Sequence, residues 1–254
     1  MMTHDQTIGA LTEAEIQVLI AAIELEEPKE TPNNNFYRFH PADLDQAAEY
    51  FRKYREDWAE AYRTLASKQM ICIDGADPRL TPTGRATAAH WRDERPPIWY
   101  WYNEFYREAS VSQTYREFCE RLYGRYLCQQ SFSDMQQIDA MVRLAMLSPA
   151  RRVLDLGCGT GMLAEYISDA TGASVHGIDY APEAIAQAQE RTVPKRDRLT
   201  FEIGNMDSLE GKPRSFDTVL SVDTLYMPRS LSHTLMRVRD LLVPDGQIGA
   251  CQGL

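Results

Sequence analysis

The segment Val153-Leu154-Asp155-Leu156-Gly157-Cys158-Gly159-Thr160-Gly161 constrains this chain more than any other. Its apolar run reads as a strand buried on both faces, delivered directly into a turn with three glycines, and Met162 to Ala170 follows with helical character. That order makes a hollow of backbone. Glycines take conformations closed to other residues and present no Cβ to a ligand, while the first turn of the helix offers unpaired N–H donors. The spacing is G-x-G-x-G, with Asp155 two residues ahead of Gly157, rather than the G-x-G-x-x-G of dinucleotide-binding turns.

The same alternation continues downstream. Ser174 to Ile178 reads as a second strand ending at Asp179, where a carboxylate can accept hydrogen bonds from both hydroxyls of a ribose. Tyr180-Ala181-Pro182-Glu183 starts a helix, with proline suited to its first turn. Leu199 to Ile203 is a third strand leading into Gly204-Asn205-Met206-Asp207, and Phe216 to Val222 a fourth that ends at Asp223. Leu231 to Leu242 then reads as a helix, Val243 to Gly246 as a turn and Gln247 to Cys251 as a fifth strand. Repeated βα units predict an α/β fold, a Rossmann-like doubly wound parallel sheet truncated after its fifth strand, which is left as an edge.

Upstream the pattern is helical. Leu11 to Glu26 carries apolar residues at helical spacing, with Thr12 and Glu15 as a capping box. Residues 41–54 and 56–69 read as two more helices around a turn-like Pro32 to Asn35. Met70 to Ile73 and Arg79 to Thr81 then form a hairpin about Asp74 to Pro78, and Pro82 to Trp91 resumes a helix. Arg95-Pro96-Pro97 is an extended linker. Residues 98–147 read as helical and aromatic, with Trp99, Tyr100, Trp101, Tyr102, Phe105 and Tyr106 crowded at their start. The expected organisation is a mainly helical N-terminal domain over 1–95, a helical linker or lid over 96–150 and an α/β domain over 151–254.

Composition narrows the functions open to the chain. A formal charge of -10 works against binding a phosphate backbone. Residues 1–98 share the bias, with 17 Asp and Glu against 11 Lys and Arg, so no nucleic-acid partner is expected. Five cysteines, an odd number without short metal-type spacing, read as free thiols in a reducing cytoplasm, and no metal site is expected. Without a long apolar run, neither a signal segment nor a membrane partner is expected.

Taken together, the glycine turn after the first strand, the acid ending the second and the Phe216-Asp217 start of the fourth closely resemble class I S-adenosylmethionine (SAM)-dependent methyltransferases from about Arg151 onward. The helix, hairpin and helix order with Leu80 to Arg85 resembles a winged-helix domain, used in several small-molecule methyltransferases for dimerisation and for closing the pocket. The resemblance implies SAM as cofactor, a small-molecule methyl acceptor with an amine or hydroxyl, and a homodimer through the N-terminal domain. It implies that Gly157, Gly159 and Gly161, with Cys158, line the methionine and ribose side, that Asp155 holds the amino group and that Asp179, beside Tyr180, binds the ribose. Asn205 and Met206 would border the adenine; Asp223 and Leu225 would face the methionine moiety or the acceptor. Tyr123, Gln130 and Gln136, ahead of the first strand, are the lid contacts expected by similarity to small-amine methyltransferases. Asp223, Tyr226 and His233 are the candidates for a general base.

Blander roles stand beside these: a simple tight turn at Gly157 and Gly159, a helix cap at Asp179, a structural acid at Asp223 and core packing for the aromatic cluster, whose other use would be cation–π attraction. Cys158 has no histidine placed with it and is not read as a nucleophile. Two further readings of the whole chain are a SAM-binding but catalytically impaired fragment and a DNA-binding winged-helix regulator with a SAM-sensing domain.

Overall fold

In the computed structural model the chain divides into two units, Met1–Trp101 and Tyr102–Leu254. The structure describes residues 11–27, 44–50, 58–73, 78–96, 98–131 and 133–251. The turns expected at Pro32 to Asn35 and over Asp74 to Asp77 lie outside these, as do parts of the helices expected over 41–54 and 56–69.

The first unit is built around α1 (Glu13–Glu26). The Thr12 hydroxyl accepts from the Glu15 amide at 3.2 Å, and the Glu15 carboxylate accepts from the Thr12 amide at 2.7 Å, closing the expected capping box. Ile16 and Val18 to Ile23 are all buried, so α1 is enclosed on nearly every side. Against it lie α2 (Leu44–Tyr50), α3 (Trp58–Ser67) and α4 (Pro82–Glu94), with a short antiparallel hairpin of β1 (Ile71–Ile73) and β2 (Pro78–Leu80). Thr81 caps α4 by accepting from the Gly84 amide, and Pro82 occupies its first turn.

The helical tract predicted over 98–147 is three helices, α5 (Trp99–Val111), α6 (Gln113–Tyr123) and α7 (Met135–Leu144), and the unit division falls in the first turn of α5. Local chemistry makes the breaks. Ser112 accepts from the Tyr115 amide and restarts the chain as α6, Gly124 ends α6 at φ 87°, and Asp134 with Gln137 forms a capping box for α7. The residues between Gly124 and Asp134 are thereby released from helix.

Next come β3 (Arg152–Leu156), α8 (Met162–Thr171), β4 (Ser174–Asp179), α9 (Pro182–Arg191), β5 (Leu199–Ile203), β6 (Phe216–Val222), α10 (Leu231–Leu241) and β7 (Leu242–Cys251). The strands form one parallel sheet in the order β5-β4-β3-β6-β7. Val153, Val175 and Leu220 pack to one face with residues of α7, α8 and α9; Leu154, Leu156 and Val219 pack to the other against α10. This is the Rossmann-like doubly wound sheet expected from the sequence. The turn predicted at 243–246 falls inside β7 as a register shift, because Phe216 pairs with Leu242 while Thr218 pairs with Gln247. None of the described helices is long and apolar enough to cross a membrane.

Gly161 shows how closely α8 sits on the sheet. It holds φ 70°, and a Cβ built there would lie 2.5 Å from the Phe201 ring and 3.0 Å from Ala188 Cβ. Gly161→Ala should therefore destabilise the second unit by about 2–4 kcal/mol through backbone strain and overpacking. Urea denaturation of the two proteins followed by circular dichroism and by amide hydrogen exchange within residues 152–203 measures this, because all four tryptophans lie in the first unit; an unchanged midpoint and unchanged exchange there would contradict the packing described.

Candidate cofactor site

The reversal of strand order between β4 and β6 around β3 leaves a crevice at the carboxyl ends of the strands, the usual ligand position in open α/β sheets. Leu156 pairs with Ile178, so Gly157 and Asp179 leave the sheet side by side. The Ile178 carbonyl accepts from the amides of both Gly157 (2.9 Å) and Cys158 (3.0 Å). The turn then crosses the tip of β4, where the Gly159 amide donates to Asp179 Oδ2 at 2.9 Å. Gly157 holds φ 73° and Gly159 φ 52°. A Cβ on Gly157 would lie 2.5 Å from Thr224 Cγ2, and one on Gly159 would lie 2.9 Å from the Tyr106 hydroxyl. The two glycines keep a cavity open between the turn and these side chains.

Three carboxylates face this cavity from the ends of neighbouring strands: Asp155, Asp179 and Asp223. Asp155 is 1% exposed, and its Oδ2 has no hydrogen-bond partner among the described residues. Burial, with Asp179 adding to it, pushes Asp155 up to about 7. Asp179 accepts from Gly159 through one oxygen and from the Ala181 amide through the other, at 2.9 Å each. Burial nonetheless raises it to about 6 against those bonds. A carboxylate has about four lone-pair sites, so the amides of Gly159 and Ala181, with that of Tyr180 adding to them, still leave Asp179 acceptor capacity toward the cavity. Asp223 sits at φ 52° and accepts from both the amide (3.0 Å) and the hydroxyl (2.7 Å) of the buried Ser133.

The opposite wall comes from the helices before β3. Tyr102 and Tyr106, one turn apart on α5, both line the cavity. The Gln187 amide donates to the Tyr106 carbonyl, and the Glu183 amide donates to Asn103, which fixes this half of α5 on α9. The stretch from Leu127 to Ser131 forms the rim. It is held from below, since the Tyr115 hydroxyl donates to the Gln129 carbonyl (2.5 Å) and the Tyr123 hydroxyl to the Ser131 carbonyl (2.7 Å).

The structure brings Asp155, Gly157, Cys158, Gly159, Asp179, Tyr180, Met206, Asp223 and Gln130 together around one cavity. Gly161 instead abuts Phe201, and the Asn205 side chain accepts from the Asp207 amide as a cap; neither lines the cavity. Leu225 and Tyr226 are also outside its lining, where Thr224 and Met227 stand. Tyr123 acts on the rim through its hydroxyl, and Gln136 is exposed. His233 is exposed on the first turn of α10. Cys158 is buried with its thiol pushed well up by desolvation, which disfavours the thiolate a nucleophile requires. From the sequence, Tyr102 and Tyr106 belong to an aromatic cluster read chiefly as core, with cation–π attraction as its other use, and Leu127, Cys128 and Ser131 fall in the 123–131 segment expected in the lid position without being singled out as contacts. Only the i, i+4 tyrosine pair carried a periodic signal, and a core stripe would show the same one.

Residues 153–246 match the family model described as a methyltransferase domain. That match, with the parallel sheet around it, supports a class I SAM-dependent methyltransferase domain over this stretch. Among curated relatives, a ubiquinone biosynthesis O-methyltransferase of Xanthomonas campestris pv. campestris is 32% identical over 102 residues, covering 39% of this chain and 42% of that protein. Phosphoethanolamine N-methyltransferase 3 of Arabidopsis thaliana is 26% identical over 129 residues, covering 51% of this chain and 26% of that one. The chain thus spans less than half the length of either relative. A solved structure of Haemonchus contortus phosphoethanolamine N-methyltransferase 2 with S-adenosyl-L-methionine is 25% identical, with a TM-score of 0.48 over 58% of this chain and 34% of that one.

SAM is the cofactor of this family, and the residues present fit it. The partnerless oxygen of Asp155 suits an ammonium, Asp179 retains acceptors for a diol, and Gly157 and Gly159 leave room that any Cβ would close. One consequence is measurable without ligand. A carboxyl held near 7 when folded and near 3.8 when unfolded binds more protons in the folded state between those values, so its contribution to stability falls as pH rises from about 4 to 7. Asp155→Asn should flatten that slope and raise the melting temperature at pH 8 relative to the parent. Identical pH profiles of melting temperature would argue against a buried, protonated Asp155.

Proposed function

We propose that this chain binds SAM in the cavity at the tips of β3, β4 and β6 and transfers its methyl group to a small molecule bearing an amine or a hydroxyl. The observation that carries the reading is the pair of buried carboxylates on adjacent strand tips, one with a partnerless oxygen and the other clamped to the glycine turn. When bound, SAM supplies a methyl group on a sulfonium, which departs as a neutral thioether. Asp155 holds the cofactor's amino group, Asp179 orients the ribose through its remaining lone pairs, and Met206 gives the base an apolar border. The rim from Leu127 to Ser131, with Tyr102 and Tyr106, keeps water from the reacting centre.

The protein's main contribution is to hold acceptor and donor in line. Neither buried candidate for proton removal suits a strong base. Asp223 is already engaged by Ser133, and burial next to Asp223 pushes the Tyr226 phenol up to about 12, so it is protonated at neutral pH. An acceptor that is nucleophilic without deprotonation, such as a free amine, fits this arrangement best. The named relatives include both N- and O-methyltransferases.

Calorimetric titration with SAM and with S-adenosylhomocysteine tests the reading. The parent protein should bind both, and Asp155→Asn and Asp179→Ala should each weaken binding by about 10–100-fold, the range for losing a charge-assisted hydrogen bond. Undiminished affinity in both variants, in proteins whose circular dichroism matches the parent, would remove the assignment.

A further inference from the structure

We infer that the start of α8, with the Thr160 hydroxyl beside it, is a carboxylate subsite that holds the carboxylate of the cofactor's methionine arm. This rests on the SAM reading above and deepens it by naming the residues that tell an intact amino-acid arm from a decarboxylated one. α8 is a ten-residue helix whose N-cap, Gly161, has no side chain with which to cap it. The Gly161 amide donates to the Cys158 carbonyl and the Glu165 amide to the Gly161 carbonyl, at 2.9 Å each. The amides of Met162, Leu163 and Ala164 between them have no acceptor among the described residues. Thr160 and Leu163 line the cavity, so this helix start forms part of its wall.

Every helix has such a start, and Thr160 sets this one apart. It is 3% exposed, and its Oγ1 has no hydrogen-bond partner among the described residues. The neighbouring Cys128 thiol is pushed up by burial and stays neutral, which makes it a weak partner for the hydroxyl. A buried hydroxyl left so is unfavourable, and a ligand oxygen that accepts its proton relieves it. The acid that would oppose an anion at this helix start is neutralised. Glu165, in the first turn, is paired with Arg191 (2.8 Å) and Lys195 (2.7 Å). Arg191 also donates to the Thr160 carbonyl at 2.7 Å, so a guanidinium backs the residue.

A lone anion is opposed in this cavity, because Asp155 and Asp179 face it as well. An anion that carries its own ammonium is not. Asp155 Oδ2 and Thr160 Oγ1 are both buried, both line the cavity and both have no hydrogen-bond partner among the described residues. They flank the turn through Gly157 and Gly159, one an acceptor for an ammonium ahead of it and the other a donor for a carboxylate behind it. The methionine arm bears those two groups on one carbon.

The test titrates the full chain by calorimetry with two ligands that differ only in the carboxylate: S-adenosylhomocysteine and its decarboxylated analogue, whose arm ends in an aminopropyl group. Acids alone would favour the analogue, which is a cation, whereas a carboxylate subsite reverses the order. The parent should therefore bind S-adenosylhomocysteine at least about tenfold more tightly than the analogue. Thr160→Val should cut that preference by about fivefold or more while leaving affinity for the analogue within about twofold, and Thr160→Ser should keep the parent's preference. An analogue that binds the parent as tightly as S-adenosylhomocysteine, or a Thr160→Val protein with the parent's preference, would overturn this inference and leave the SAM reading standing. Failure of S-adenosylhomocysteine to bind the parent at all would overturn both. The comparison of the two ligands in the parent decides the matter even if Thr160→Val does not fold.

Discussion

The bond from the Gly159 amide to Asp179 ties two strand tips together across the mouth of the sheet. Without it the glycine turn would be a loop among loops, free to fold over the tip of β4. With it, the turn is pinned at a set height above the sheet, Gly157 clears Thr224, and Gly159 faces Tyr106. Asp179 thus has two duties, anchoring the turn with bonds to the backbone and leaving acceptor capacity for a ligand. Helix cap and ribose acceptor, weighed as alternatives when the sequence is read alone, are compatible roles for one carboxylate.

That anchoring comes with an energetic cost. Two carboxyl groups are removed from water, with Asp179 close enough to disfavour ionisation of Asp155, and among the described residues no cation is paired with them inside the cavity. The site is destabilised toward neutral pH so that a positively charged ligand can relieve it, an arrangement common where binding matters more than rigidity. Asp223 is treated differently. The buried Ser133 satisfies it and holds the rim segment to the end of β6.

Much of the second unit was legible because its information is local. The apolar runs at Val153, Val175, Leu199 and Val219 each end in a residue that stops a strand, and only a parallel sheet joins such runs through intervening helices. The strand-tip residues Asp155, Gly157, Gly159, Asp179 and Asp223 followed directly. What escaped was set by tertiary contact. Gly161 belongs to the same glycine run, yet its open side faces Phe201 rather than the ligand space, a choice made by how α8 seats on β5. The rim from Leu127 to Ser131 lies in a tract whose composition reads as helix. Gly124 and the Asp134 cap interrupt it, while Tyr115 and Tyr123 anchor carbonyls that a helix would have used internally. Tyr102 and Tyr106 carry the spacing of a core stripe, and spacing alone does not separate core from cavity wall.

The Ser133 to Asp223 contact joins residues 90 positions apart, and the segment it secures precedes every strand of the parallel sheet. During synthesis the tyrosine-bearing helices leave the ribosome before α9, whose Ala184, with Ala181 just ahead of it, covers their apolar faces, and well before β6, which carries the chain to Asp223. The cavity is therefore closed late, by a long-range event that must overcome substantial loop entropy. Chains stalled short of Ala181 would display an aromatic surface with nothing to seat it, a natural handle for chaperones, whereas those stalled short of Asp223 would lack only the tie on the rim.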